Sequence, residues 1–282
     1  MDNKRNFFCL RGYMKSGTNW LGGLLDRHPH VSCRGEYHWE EMLGPYLSNS
    51  ANMTLLHDES YKSLLIRQMR GMIRHMMQHD VGPEIQVVGD RTPHEIAPVI
   101  LHVPHISIIR DGRDILVSRA FHLFNRPDVT KIFKRNRQMA ASLEAFQNDK
   151  WFFRNNPERL LESDELVEYT ARWWVEHLES DRRTVEKYPD LKVRFLKYES
   201  LLKNTQSLTD ELFEFIGVDP SLAPPIEGKL EPGFKAESPD KFFRKGESGD
   251  WVNYFTDRTK EVFKGIANDE LVLQGYVQDA DW

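Results

Sequence analysis

Lys15, Ser16, Gly17, Thr18 and Asn19 share one short turn, "YMKSGTNW", set between an apolar run ending at Leu10 and the helix-spaced trio Leu21, Leu24 and Leu25. A strand, a donor-rich turn and a helix in that order make a grip for an oxyanion. The amides of Ser16 to Asn19 are expected to face the anion at the positive end of the helix dipole. Lys15 adds a full charge, and Ser16, Thr18 and Asn19 add side-chain donors. A nucleotide-kinase loop needs Gly-x-x-x-x-Gly-Lys-Ser/Thr, and here Lys15 precedes Gly17. The alternative for this stretch alone is a polar turn with a capping Ser or Thr.

Two further clusters suit a phosphate. In "ISIIRDGRDILVSRAF" (106–121), Arg110 ends a strand and Asp111 can cap a helix whose second turn presents Ser118. Arg110 and Ser118 can converge on one phosphate, while Asp111 and Asp114 are expected to stabilise the helix start. In "FFRKGESGDWVNYFT" (242–256), Arg244, Lys245 and Gly246 supply two cations and a bare backbone N–H. Either cluster alone is common on protein surfaces.

The elements that must position these groups are legible as pattern. Strand-like runs occur at "NFFCLRG", "IQVVGD" (85–90), "HISIIR" (105–110) and "KVRFLKY" (192–198), separated by helical periodicity, notably over 162–188 and 204–218. Apolar strands alternating with helices predict an α/β, three-layer fold, a central parallel sheet with helices on both faces. Ligands of such sheets sit beyond the carboxyl ends of the strands, where each cluster falls. The segment 64–80 places Leu65, Met69, Met72 and Met76 on one helical face and Arg67, Arg70 and Arg74 on another. It reads as an amphipathic helix packed on the core, with a membrane-surface helix and a Met-rich lid as alternatives. The basic run in 124–138 reads as a solvated face, and Pro220 to Asp240 as a long surface loop.

The chain has 282 residues, 40% hydrophobic and 29% charged, with a net charge of -5. That balance argues against wholesale nucleic-acid binding and requires any anion to be held by a local cluster of bases. Cys9 and Cys33 are the two cysteines, too few for a disulfide framework. The N-terminal apolar run is too short for a signal-peptide core, and no window reaches the apolar length of a membrane span. The expectation is a soluble cytoplasmic protein without a membrane partner.

Taken together, the three clusters resemble the cytosolic sulfotransferase family, which uses 3′-phosphoadenosine 5′-phosphosulfate (PAPS) as donor and releases 3′,5′-adenosine diphosphate. "YMKSGTNW" is similar to its 5′-phosphosulfate loop, with Met14 where Pro is usual; "RDGRDILVS" is similar to its 3′-phosphate motif, and "RKGESGDWVNYFT" to its C-terminal signature. The resemblance spans nearly the whole chain and implies the P-loop-nucleotidase-like sulfotransferase fold as one domain over 1–282, with helical lid or substrate segments near 40–82 and 124–165. It implies that Lys15, Ser16, Gly17, Thr18 and Asn19 hold the phosphosulfate and that Trp20 stacks on adenine. A core aromatic at the helix start is the other reading of Trp20. Arg110, Ser118, Arg244, Lys245 and Gly246 would hold the 3′-phosphate. Tyr198 is similar to the family's adenine-contacting Tyr, or is a strand-end Tyr with its hydroxyl in water.

The base departs from the small-molecule pattern. The family's Lys-Thr-His-Leu-Pro stretch corresponds to "VVGDRTPHEIAP" (87–98), where His94 lies two residues from the matching place. "LLDRHPHVSCRGEYHWEEM" (24–42) instead resembles the tyrosylprotein and heparan sulfotransferases, whose catalytic Glu follows a His-Pro-x-Val segment, and Glu36 falls at that spacing from Lys15. Glu36 is the expected general base, His94 the competitor, and Ser118 a restraint on Lys15. A surface acid and a capping His are their bland readings. His28, His30 and His38 lack a metal-ligand pattern, and no metal is expected. The expected activity is sulfuryl transfer from PAPS to a hydroxyl or amine of a small soluble acceptor. A kinase-like phosphotransferase and a non-catalytic nucleotide-binding protein are the alternatives.

Overall fold

Each of the four apolar runs forms a strand in the computed structural model, which describes residues 5–48, 58–98, 101–127, 132–226 and 246–282. These are β1 (Asn6–Arg11), β3 (Val87–Asp90), β4 (His105–Ile109) and β5 (Val193–Lys197). A fifth, β2 (Val31–Arg34), arises in a stretch with no strand-like run of its own. The helices are α1 (Thr18–Leu25), α2 (Trp39–Ser48), α3 (Glu59–Met77), α4 (Gly112–Asn125), α5 (Ile132–Arg135), α6 (Arg137–Asn148), α7 (Phe152–Asn155), α8 (Asp164–Lys187), α9 (Tyr198–Lys203), α10 (Thr205–Ile216) and α11 (Asp257–Leu273).

The chain divides into two compact units, residues 1–109 with 180–226 and residues 110–179 with 227–282. The first holds all five strands, paired in parallel in the order β2-β3-β1-β4-β5 with helices around them. β3 and β4 are buried along their whole length, as strands covered on both faces must be. The edge strand β5 leaves Arg194 and Phe195 exposed. From β1 the chain departs toward β2 and β3, and from β4 toward β5. The reversal between these neighbours marks the carboxyl ends of β1 and β4 as the place where such sheets hold ligands.

The helix over 59–77 packs on this unit as an amphipathic helix, through a different face from the expected one. Ile73 and Met77 are buried in a cluster with Trp39, Leu43, Ile85 and Val88, and Met69 packs beside it, whereas Met72 and Met76 are exposed. Ile73 and Met77 lie a turn apart and are joined by Met69, so the buried stripe is rotated from the Met72 line. In the second unit, Phe121, Phe124, Phe146 and Phe153 pack ring on ring and join α4, α6 and α7. Among the described residues, no helix is long and apolar enough to cross a membrane.

Candidate functional site

In the first unit the turn after β1 has the geometry of an anion loop. Gly12 has φ 148, and a Cβ there would lie 2.5 Å from the carbonyl oxygen of Ile108 on the neighbouring strand. Only glycine lets β1 leave the sheet at that point. Lys15 adopts a left-handed φ of 72, a strained backbone for a long side chain of the kind that recurs at ligand sites. Gly17, the N-cap of α1, has φ 103 and offers no side-chain cap. The first amides of α1 are therefore not capped by their own N-cap side chain.

Ser16 differs from the expectation in one respect. Its N–H donates to the Tyr13 carbonyl at 3.0 Å, so its amide closes the turn. Its hydroxyl is buried and has no partner among the described residues, and the same holds for Oδ1 of Asn19. A buried hydroxyl left without a partner costs about 1–3 kcal/mol, a debt that an oxyanion seated on the loop would cancel. The loop therefore fits a phosphate or sulfate group.

Tyr198 opens α9 directly after β5 and is 5% exposed. Its ring lies against Gly17, where a Cβ would sit 2.7 Å from Cδ2. Trp20, 3% exposed, meets the Tyr198 ring edge-on at 5.5 Å. Both aromatics thus pack at the root of the loop.

The two candidate bases sit in different surroundings of the same unit. Glu36 follows β2 in a short irregular segment with its side chain 37% exposed, and its carboxylate lies 3.6 Å from Nε2 of His38. His94 accepts the N–H of Gly12 on its backbone carbonyl at 3.3 Å, which ties it to the start of the anion loop. Its Nδ1 faces the Glu95 carbonyl at 3.0 Å and the Glu95 carboxylate at 3.2 Å. Nδ1 therefore carries the proton, and Nε2 is left as the acceptor.

In the second unit the other two clusters come together. The indole N–H of Trp174 donates to the Arg110 carbonyl at 3.2 Å, and Nη2 of Arg110 donates to the Glu247 carbonyl at 2.9 Å, next to Gly246. Asp111 caps α4 as expected, accepting the Arg113 N–H at 2.9 Å. Asp114 does something else: its carboxylate accepts the N–H groups of Gly249 and Trp251, at 2.7 and 3.0 Å. Burial raises the Asp114 pKa, while Arg110 and the two amide donors act against that rise. The Arg113 guanidinium, paired with Asp111 at 2.6 Å, lies 4.1 Å above the Trp251 ring. Ser118 is half-buried in the second turn of α4. Arg244 and Lys245 lie outside the described residues.

The first unit also holds a buried ion cluster outside the three expected clusters. Nη2 of Arg11, at the end of β1, lies 2.7 Å from Glu40 and 2.8 Å from Asp90, at the end of β3. Burial disfavours the Arg11 charge, but the Asp90 and Glu40 carboxylates more than offset it and raise its pKa. A signal existed: two charged residues, Arg11 and Asp90, each close an apolar strand run. Only the register, with Cys9 opposite Asp90, makes them neighbours. The Cys9 thiol is pushed up to about 12 by burial, so it is no nucleophile at neutral pH. His28 is engaged elsewhere, with Nε2 2.9 Å from the Asp219 carbonyl.

A family model described as sulfotransferase domain matches residues 7–274, running through both units. Flavonol 4′-sulfotransferase of Flaveria chlorifolia is 24% identical over 297 aligned positions, covering 96% of this chain and 80% of the relative. A flavonol sulfotransferase-like protein of Flaveria bidentis is 24% identical, covering 93% and 81%. The crystal structure of mouse sulfotransferase SULT7A1 complexed with PAP shares the fold at a TM-score of 0.50 and 17% identity, covering 97% of this chain and 87% of that one.

Proposed function

The chain belongs to the sulfotransferase family, and on that premise we propose that it moves a sulfuryl group from PAPS to a hydroxyl, or an amine, of a small soluble acceptor. The observation that carries this reading is the turn after β1, with its left-handed Lys15, its buried Ser16 hydroxyl without a partner among the described residues and a helix start that its glycine N-cap leaves without a side-chain cap. When bound, PAPS supplies an activated sulfuryl group on a phosphate leaving group. Lys15, Ser16, Gly17, Thr18 and Asn19 hold the phosphosulfate, and Trp20 and Tyr198 stand at the adenine. Arg110, Ser118 and Gly246, with Arg244 and Lys245, hold the 3′-phosphate. Glu36 accepts the acceptor's proton, with His94 as the competing base. Lys15 neutralises the charge that gathers on the leaving oxygens, a gain realised mainly in the transition state.

The curated relatives are named for flavonols, which favours a hydroxyl on a small molecule as the acceptor. Two buried free thiols, Cys9 and Cys33, favour a reducing, cytoplasmic setting. The test is incubation with PAPS and a panel of phenols, alcohols and amines, read by mass spectrometry. An acceptor that gains a sulfonate while 3′,5′-adenosine diphosphate accumulates supports the proposal. Tight binding of that diphosphate with no transfer to any acceptor would identify a non-catalytic nucleotide-binding protein. Phosphorylated products from Mg-ATP would identify a kinase.

A further inference from the structure

The segment bearing Glu36 has no regular structure of its own: the Gly35 carbonyl accepts the Arg91 N–H at 3.3 Å, and the next two amides after Glu36 meet on one hydroxyl. Oγ1 of Thr92 accepts the backbone N–H groups of Tyr37 at 3.1 Å and His38 at 3.2 Å. With two donors arriving, the Thr92 proton has one place to go: it is donated to Oδ1 of Asp90 at 2.7 Å. The hydroxyl is thus used three times, and its orientation is fixed. Thr92 is fully buried.

Behind it the chain of contacts closes on itself. Asp90 pairs with Arg11 at 2.8 Å, and Arg11 pairs with Glu40 at 2.7 Å. Glu40 lies two residues after His38, in the first turn of α2. The segment is therefore clamped twice, by Thr92 at 37–38 and by Arg11 at 40, and both clamps meet at Asp90. His38 is held in a left-handed φ of 53 between them. Buried ion clusters are poor sources of net stability compared with apolar packing, and their best-attested use is to specify geometry.

We propose that Thr92, oriented by Asp90 and Arg11, is a positioning residue that sets where the Glu36 carboxylate stands toward the acceptor. The inference rests on the reading of Glu36 as the base. Displacing a reacting group by about 1 Å can cost on the order of 10²-fold in rate. Thr92→Val keeps the shape and removes the hydroxyl, whereas Thr92→Ser keeps the hydroxyl.

The test compares single-turnover rates with saturating PAPS for wild type, Thr92→Val, Thr92→Ser, Glu36→Gln and the Thr92→Val/Glu36→Gln pair, with 2-naphthol and cyclohexanol as acceptors. Amide hydrogen exchange at Tyr37 and His38 is followed in parallel. Expected are faster exchange at both amides and a loss of roughly 10–10²-fold in Thr92→Val, near-complete recovery in Thr92→Ser, unchanged affinity for 3′,5′-adenosine diphosphate, and a double variant no slower than Glu36→Gln. A double variant slowed by the product of the single losses would overturn the proposal, because independent sites multiply their effects. A wild-type rate in Thr92→Val would overturn it too. If Glu36→Gln keeps full rate while Thr92→Val is slow, the base reading fails and the positioning claim falls with it. The exchange measurement stands even if neither acceptor is turned over: unchanged protection in Thr92→Val would show that the hydroxyl does not hold the segment. Should Thr92→Val not fold, Asp90→Asn breaks the same chain one bond further back and must give the same double-variant pattern.

Discussion

The carboxylate of Asp114 accepts the backbone N–H of Gly249 at 2.7 Å, joining the start of α4 to a turn 135 residues away in the second unit. The second oxygen takes the Trp251 amide, so both acceptors of one buried side chain shape the turn that follows Gly246. Arg110 reaches the same turn through the Glu247 carbonyl. The arginine and the turn are thereby presented as one surface, the one proposed to hold the 3′-phosphate.

Asp114→Asn should loosen that turn, because an amide offers one acceptor where two N–H donors arrive. The expected cost is about 1–3 kcal/mol of stability. Calorimetry should show 3′,5′-adenosine diphosphate losing affinity while 5′-AMP, which lacks the 3′-phosphate, loses little. Arg110→Ala should give the same asymmetry with a larger loss of the diphosphate. Equal weakening of both nucleotides would make these residues structural.

Gly17→Ala should damage the anion loop from within. The new Cβ meets the Tyr198 ring at 2.7 Å, and φ 103 is foreign to an L-residue. A left-handed backbone alone costs about 1–2 kcal/mol, so diphosphate affinity should fall at least tenfold, with a lowered Tm. Retained affinity would show that the loop tolerates rearrangement at its helix start.

Lys15→Ala should lower turnover far more than diphosphate affinity, since the charge it meets is greatest in the transition state. Single-turnover rates beside calorimetry decide this. An unchanged rate would remove Lys15 from the chemistry.

Glu36→Gln should slow transfer to an alcohol by roughly 10²–10⁴-fold with the nucleotide still bound, and His94→Asn should cost much less. An alcohol is the fair acceptor, because a phenol needs less help in losing its proton. His94 is chemically able to compete, with Nδ1 turned to Glu95 and Nε2 left as acceptor. A dead His94→Asn beside an active Glu36→Gln would reverse the assignment.

Acid should destabilise the fold through His105. Burial, with Arg11 adding to it, lowers its pKa from the ordinary 6.5 to about 3, and its Nδ1 donates to the Val103 carbonyl at 2.7 Å. The native state keeps the ring neutral while the unfolded chain gains a proton as pH falls below 6.5. Stability is therefore full above that value and is lost as pH falls toward 3, by up to about 1.4 kcal/mol per pH unit. His105→Asn should flatten the fall of Tm between pH 6 and 4 by that order; an unchanged slope would assign it to other groups.

Elements whose signal is local can be read from the residues alone. The apolar runs of β1, β3, β4 and β5 and the periodicity of α8 and α10 were legible within their own windows, as was the donor-rich turn at Lys15. β2 was not, because four residues at a sheet edge carry too little pattern and Val31–Arg34 becomes a strand only by pairing with β3. The face of α3 is undecided in the sequence for a related reason: Met72 and Ile73 are both apolar, and the neighbouring Trp39, Ile85 and Val88 decide which of them is buried. Asp114 read as a residue of the helix start, and its true partners come from a turn 135 residues away. Arg11, Asp90, Glu40 and Thr92 are ordinary polar residues in the sequence, and become one clamp where parallel register sets the ends of β1 and β3 side by side. Periodicity is written along the chain, whereas a hydrogen bond between distant residues depends on strand order and register, which no single window contains.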